Sequence, residues 1–248
     1  MVKLDNKVPL PPTEKLWIDD PYMTECDATI LHAQDNMVIT DRTIFYAESG
    51  GQVADQGWIN DTRVVDVQKQ PGKVIHLSHP KVMVPSVHID TVVVHFLEET
   101  STFSVGQKVQ MRLDWPLRYI HMRYHSASHF LYHAVAQVYG DNGKSPYTEG
   151  CYIYSESARF DYGISLDSSL IPSVSQIANS LIAEGKEIIM EPDPTTREVS
   201  YWRYGDIIIP CGGTHVKSAA EIGPIRVKRK KVGKTTTRIY AYLEDLKN

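Results

Sequence analysis

The hydrophobic pattern of the chain changes period once, near Val109–Asp114, and that change limits the architecture more than any other feature. Before it, apolar residues come in short Val- and Ile-rich segments: Asn36–Thr40, Arg63–Gln68, Lys73–Leu77, His88–Leu97 and Lys108–Leu113. Gly50-Gly51, Pro71-Gly72 and Val105-Gly106 punctuate them, and Gly and Pro supply the backbone angles that tight turns need. Short strands at this spacing predict a small barrel or sandwich. After it, the run PLRYIHMRYHSASHFLYHAVAQVY puts Ile120, Phe130, Leu131, Ala134 and Val138 broadly on helical spacing. Pro116 suits the first turn of a helix, where its missing N–H removes no bond. Gly140, Asp141 and Asn142-Gly143 are stop signals. A second helix is expected from Ser173 to Gly185. Further strands are expected at Cys151–Tyr154, Arg159–Asp161, Glu187–Met190, Asp206–Ile209, Ile225–Lys231 and Arg238–Leu243. Helices mixed with non-adjacent strands read as α+β. The expected organisation is a small β-barrel-like domain over residues 1–110, carrying a glycine-rich loop, then an α+β domain over 111–248. The second domain should have a mixed or antiparallel sheet and packed helices, and the Pro-rich first dozen residues should form an extended lead-in.

Composition narrows the class. The chain has 248 residues, 42% hydrophobic and 23% charged, the balance of a globular protein. No apolar run approaches the roughly 18 residues that a membrane span needs, and Met1–Pro12 has no apolar signal core. A cytoplasmic protein with no membrane partner is expected. Three cysteines are too few and odd in number for a disulfide scaffold, so a cysteine with chemistry should act as a thiolate in a reducing compartment. Cys26 and Cys151 have no ligand-like neighbours and read as packed residues.

Four histidines stand at four-residue intervals: His121, His125, His129 and His133. On a helix, residues four apart share a face and can reach one ion. With about 3.6 residues per turn, the stripe drifts around the axis, so one pair can chelate but all four cannot. Spacing leaves the pair open. Farther on, Ile207-Ile208-Ile209-Pro210 leads into Cys211-Gly212-Gly213-Thr214-His215. The two glycines allow a turn that aims thiol and imidazole at one centre. Thiolate with imidazole favours zinc over calcium or magnesium. Two helix histidines with Cys211 and His215 would make a His3Cys set.

These stretches resemble the signatures of the alanyl-tRNA editing domain. Asp114-Trp115, Arg118 and Met122-Arg123-Tyr124-His125-Ser126-Ala127-Ser128-His129-Phe130-Leu131 resemble the first signature. Cys211-Gly212-Gly213-Thr214-His215-Val216, Glu221-Ile222-Gly223 and Arg238-Ile239 resemble the second. Ala158-Arg159-Phe160-Asp161-Tyr162 resembles an RFDF segment, and Glu48-Ser49-Gly50-Gly51-Gln52-Val53-Ala54-Asp55-Gln56-Gly57 resembles a GGGQxxDxG loop. In this order they resemble the AlaX family of free-standing editing proteins, in its AlaX-M-like form, from about residue 28 onward. Nothing looks like a class II synthetase catalytic core. Ser49 replaces the first glycine of the loop triplet, which should loosen it, and Ser128 replaces a frequent threonine.

The resemblance implies a trans-editing hydrolase that deacylates mischarged alanine tRNA, chiefly Ser-tRNA(Ala) and secondarily Gly-tRNA(Ala). It implies Zn2+ held by His125, His129, Cys211 and His215, with His121 and His133 outside the ligand set. Four protein ligands close a zinc site, the structural pattern, so one ligand should be weak, and His215 is expected to be the loosest. No Glu adjoins the HxxxH, so the base of an HExxH site is missing. Ser128 and Thr214 are the candidate catalytic hydroxyls. Ser126, Gly50, Gly51, Gln52, Gly212 and Gly213 are candidate substrate-binding residues. Arg226–Arg238 holds seven basic residues and no acid against a net charge of −4. Arg226, Lys228, Arg229, Lys230, Lys231 and Lys234 are thus candidate tRNA contacts, or else a solvated strand. Tyr124, Tyr132 or Tyr162 could stack on the terminal adenosine. The rivals are an RNA-binding module with structural zinc and an editing relative acting on another tRNA, such as threonine tRNA.

Overall fold

The computed structural model describes residues 10–141 and 145–246. Most of the Pro-rich lead-in and the stop signal Asn142-Gly143 lie outside the described residues. The chain is mixed α+β with mostly antiparallel sheets. It divides into two compact units that are not consecutive stretches. The first holds Met1–Ser49, Ala54–Arg118 and Pro192–Ser200; the second holds Gly50–Val53, Tyr119–Glu191 and Tyr201–Asn248.

In the first unit, six strands close into a barrel: β1 (Glu25–Gln34), β2 (Met37–Thr40), β3 (Gly57–Ile59), β4 (Thr62–Gln70), β5 (Val92–Leu97) and β6 (Lys108–Leu113). The order β6-β1-β2-β5-β4-β3 returns to β6 through the pairs Met111↔Ile59 and Leu113↔Gly57, so none of the six is left as an edge. Alternation sends Ile30, Val38, Ile59, Val64, Val67, Val93, Leu97, Val109, Met111 and Leu113 into one core. The expected strand His88–Leu97 is broken at Asp90, whose φ of +55° turns the chain; Val87–Ile89 pairs instead with Lys73–Ile75. Strand β1 was not anticipated. Its sequence ECDATILHAQ buries only Ala28 and Ile30 fully, so it carries no Val/Ile run.

In the second unit, α1 (Trp115–Tyr139), which begins in the first, and α2 (Ile171–Ala183) accompany a four-stranded antiparallel sheet. Its strands are β7 (Thr148–Ile153), β8 (Ala158–Tyr162), β12 (Ile225–Val232) and β13 (Thr236–Leu243), in the order β7-β8-β13-β12. A three-stranded sheet is formed by β9 (Ile189–Asp193), β10 (Thr196–Tyr204) and β11 (Ile207–Pro210). Strand β10 was also not anticipated. Phe160, Tyr162, Ile239, Ala241 and Ile225 point to the buried face of the large sheet. Tyr132 of α1 meets Phe160 there, with ring centroids 5.5 Å apart. Asn179 of α2 clamps Ile225 through two 2.8 Å bonds, donating to its carbonyl and accepting from its N–H. No described helix is long and apolar enough to cross a membrane.

Candidate metal centre

Helix α1 and the turn after β11 bring His125, His129, Cys211 and His215 together in the second unit. One ligand atom from each lies within 4.8 Å of all the others. Cys211 Sγ is 3.3 Å from both His125 Nε2 and His215 Nε2. Ligands about 2.0–2.3 Å from a tetrahedral zinc would stand roughly 3.5 Å apart, so the spacing suits one ion.

The glycines do separable work. A Cβ on Gly213 would sit 2.1 Å from His125 Cε1 and 2.5 Å from its Nδ1, so only glycine lets the turn pass the ring. A Cβ on Gly212 would meet nothing within 4 Å. Gly51 has φ +87° and a Cβ there would strike the Cys151 carbonyl oxygen at 2.2 Å. Its own carbonyl accepts from Ile153 N–H at 2.8 Å, laying the loop along β7. That placement delivers Gln52, fully buried, into the cluster. Ser49, expected to loosen the loop, instead ties its hydroxyl to Tyr46 OH at 2.7 Å within the first unit.

An outer layer of hydrogen bonds sets the imidazole tautomers. Gln52 Oε1 stands 2.7 Å from His125 Nδ1 and accepts from Thr214 N–H at 3.2 Å. Gln52 Nε2 donates to Thr214 Oγ1 at 2.9 Å. Ser126 Oγ stands 3.1 Å from His215 Nδ1 and accepts from Val216 N–H at 3.2 Å. With both Nδ1 atoms protonated, both Nε2 lone pairs face Cys211, the arrangement in which an outer partner orients a metal-binding imidazole. His215, expected to be the loosest ligand, is held at both ring nitrogens. His129 differs: its Nε2 is buried with no hydrogen-bond partner, and its ring packs against Trp202 at 4.9 Å. Trp202 lies on the unanticipated β10, and no spacing signal marks it.

Burial dominates the electrostatics. It pushes His129 down to about 3. It also holds His125 and His215 well below the usual imidazole range, with neighbouring histidines adding to the effect. Burial raises the Cys211 thiol to about 12, opposed by the hydrogen bond from the Gly213 N–H. Three neutral imidazoles therefore offer lone pairs, and a thiolate here needs a cation beside it. The orphaned His129 nitrogen, the neutral imidazoles and the soft donor set fit a metal ion.

Several expected residues lie elsewhere or do something else. The Ser128 hydroxyl donates to the His125 carbonyl at 2.7 Å, inside its own helix. His121 is buried on α1, and His133 pairs with Gln137 at 2.8 Å. Tyr124 and Tyr162 are buried in the core, so neither presents an open face to a nucleotide, while half-buried Tyr132 packs on Phe160. The basic stretch is not one patch. Strand alternation turns Arg226, Lys228 and Lys230 to the sheet's outer face and Arg229 and Lys231 to the other, with Lys234 exposed in the turn.

Two family models match the chain. Residues 17–117 match "tRNA synthetases class II (A)", and residues 201–240 match "Threonyl and Alanyl tRNA synthetase second additional domain". The stretch that matches the class II model includes the six barrel strands. The chain is 33% identical to the alanyl-tRNA editing protein AlaX-M of Pyrococcus horikoshii, over 94% of this chain and 98% of that protein. It is 32% and 30% identical to the alanine–tRNA ligases of Ignicoccus hospitalis and Thermococcus kodakarensis, over 88% and 89% of this chain. It spans only 24% of the length of either ligase. Likeness along nearly the whole of both sequences places the chain in the family of the alanyl-tRNA editing protein AlaX-M.

Proposed function

We propose that this protein is a trans-editing aminoacyl-tRNA deacylase. It hydrolyses the ester of mischarged alanine tRNA, chiefly Ser-tRNA(Ala) and secondarily Gly-tRNA(Ala), in the cytoplasm. The observation that carries the reading is the His125–His129–Cys211–His215 cluster, with its orphaned His129 Nε2, in a relative of an alanyl-tRNA editing protein. The editing domain corresponds to the second unit, Gly50–Val53, Tyr119–Glu191 and Tyr201–Asn248, rather than to an unbroken 111–248, and the barrel domain to the first unit. The four cluster residues would hold zinc. When bound, it would supply positive charge that polarises an ester carbonyl or a water. The aminoacyl ester is already activated, so the chain's main task is positioning and selectivity.

The residues around the cluster divide that task. Gln52 and Ser126 fix the His125 and His215 rings. Thr214 accepts from Gln52, so its own O–H remains as a donor for the substrate. Serine exceeds alanine by one hydroxyl, and a buried partner that alanine leaves unpaired rejects alanine strongly. Thr214 is the first candidate for that partner. Ser128 shapes the pocket through the His125 carbonyl. Gly50, Gly51, Gly212 and Gly213 bring backbone N–H groups within reach of the esterified end. Arg226, Lys228 and Lys230 on one sheet face, Arg229 and Lys231 on the other, and Lys234 in the turn offer their cations to separate stretches of the tRNA backbone.

The test is deacylation of seryl-, glycyl- and alanyl-tRNA(Ala) and of seryl-tRNA(Thr) by the zinc-loaded protein and by Cys211→Ala, with bound zinc measured alongside. Seryl-tRNA(Ala) should turn over fastest. Loss of an outer partner alone costs about 10–100-fold in metal affinity, so Cys211→Ala should lose zinc affinity by more than about 100-fold and turnover with it. No hydrolysis of any substrate would make the protein an RNA-binding module with structural zinc, a role that four protein ligands also suit. Faster hydrolysis of seryl-tRNA(Thr) would move it to threonine tRNA.

A further inference from the structure

We propose that the outward face of the four-stranded sheet in the second unit binds unpaired RNA nucleotides, apart from the metal cluster. The proposal rests on the editing reading only in taking RNA as the ligand. In register, Tyr152, Arg159, Tyr240 and Lys228 form one row across β7, β8, β13 and β12. Asp161, Arg238 and Lys230 form the next row, and Tyr242 stands opposite Arg226 beyond the first. Cations and aromatic rings thus alternate over one pleated surface.

The rings are arranged for stacking. Tyr152 and Tyr154 lie parallel at 6.3 Å and 12°, and Tyr240 and Tyr242 at 5.8 Å and 15°. Arg159 sits 4.2 Å over Tyr152, and Arg226 and Lys228 lie 5.3 Å and 5.6 Å from the Tyr242 ring centre. Charge points to a polyanion. The two acids of the face are engaged: Asp161 between Arg159 and Arg238, at 3.2 Å and 3.1 Å, and Glu149 by the Thr236 hydroxyl at 3.2 Å. Arg226, Lys228 and Lys230 are exposed and stand opposite tyrosines and an arginine, not carboxylates. A lipid surface would be met by an apolar face, and this one has no exposed aliphatic cluster. Duplex RNA hides its base faces, so it could use the cations but not the rings. Unpaired nucleotides use both, with phosphates on Lys and Arg and bases on tyrosine.

The face is also apart from the cluster. Alternation sends Cys151, Phe160 and Ile239 to the opposite side of the sheet, where α1, the carrier of His125 and His129, packs. RNA held on the outer face is therefore read independently of its esterified end.

The test uses the full zinc-loaded chain and a labelled single-stranded oligoribonucleotide of about 12 nucleotides bearing no amino acid, beside the same strand in a duplex. Fluorescence anisotropy should show tighter binding of the single strand. Tyr240→Ala should weaken single-strand binding by about fivefold or more, the effect of one lost base stack. Lys228→Ala with Lys230→Ala should flatten the slope of log Kd against log salt by about 1.4, two contacts at roughly 0.7 each. Thermal melting and bound zinc check that each variant is folded, and the two exposed lysines keep the test open if Tyr240→Ala is not. No binding of the single strand, variants within twofold of the parent, or equal binding of strand and duplex would each overturn the proposal. The probe carries no ester, so failure to hydrolyse seryl-tRNA(Ala) with binding intact would sink the editing reading alone.

Discussion

A buried polar cluster in each unit can be set side by side, and the two differ in whether they close on themselves. In the first unit, Arg118 Nε donates to both carboxylate oxygens of Asp55 at 2.9 Å. Its Nη1 and Nη2 reach the Pro21 and Ile44 carbonyls at 2.9 Å and 2.7 Å. Asp55 also accepts from Tyr46 N–H at 2.6 Å. Both side chains are 1% exposed, charge meets charge, and every strong donor has an acceptor. In the second unit, three neutral imidazoles and a thiol face one another, and His129 Nε2 has no partner. The closed network is a structural device. The open one could hold a cation, because an ion among the four would meet the unpartnered His129 Nε2 together with the other three ligand atoms.

The largest effect that separates them is on stability. Asp55→Ala should leave the Arg118 guanidinium buried without its countercharge, a loss of about 3–5 kcal/mol. Urea unfolding should record it, while the folded fraction still binds zinc at the parent stoichiometry. A variant that keeps its stability but loses zinc would reverse the roles assigned to the two clusters.

The open cluster was more legible in the sequence than the closed one, for a physical reason. Metal-binding geometry imposes spacing: the four-residue interval marks a helix face, and a turn between Cys211 and His215 needs glycine, as the 2.1 Å approach to His125 shows. An ion pair imposes none, so Asp55 and Arg118, 63 residues apart, gave no signal of their function. The same limit hid Trp202. It lies on a strand whose TREVSYWRY pattern interleaves charge with aromatics, so it did not read as an apolar strand. In the barrel, Val-rich β4 and β5 and the alternating β6 were legible. Strand β1 was not, because five polar or charged residues share its ten positions and its inward positions show only once the barrel closes. Gln52, expected at the substrate, bonds to His125 and Thr214, a role that no spacing signals.

A middle-sized effect asks whether the open cluster depends on its outer layer. Gln52→Ala removes the acceptor that fixes the His125 tautomer, so zinc affinity should fall by about 10–100-fold. Competition with a chelator of known affinity measures it. Stability of the zinc-free protein should change far less than in Asp55→Ala. Zinc affinity within twofold of the parent would mean that the cluster holds its geometry without Gln52.

The smallest effect concerns the two hydroxyls beside the cluster. Ser128 Oγ donates to the carbonyl three residues back at 2.7 Å, a bond that competes with the helix ladder and adds little to it. Ser128→Ala should therefore cost about 1 kcal/mol or less. Its influence on substrate choice has to pass through the position of His125. Thr214 is fixed by Gln52 Nε2 at 2.9 Å and turns its own donor elsewhere, so Thr214→Val removes a hydroxyl that a seryl ester can meet directly. The ratio of seryl- to alanyl-tRNA(Ala) hydrolysis should drop in both variants, and further in Thr214→Val. An equal or deeper drop in Ser128→Ala would show that this hydroxyl leaves its helix carbonyl to meet the substrate, and discrimination would then lie on α1 and not on the turn after β11.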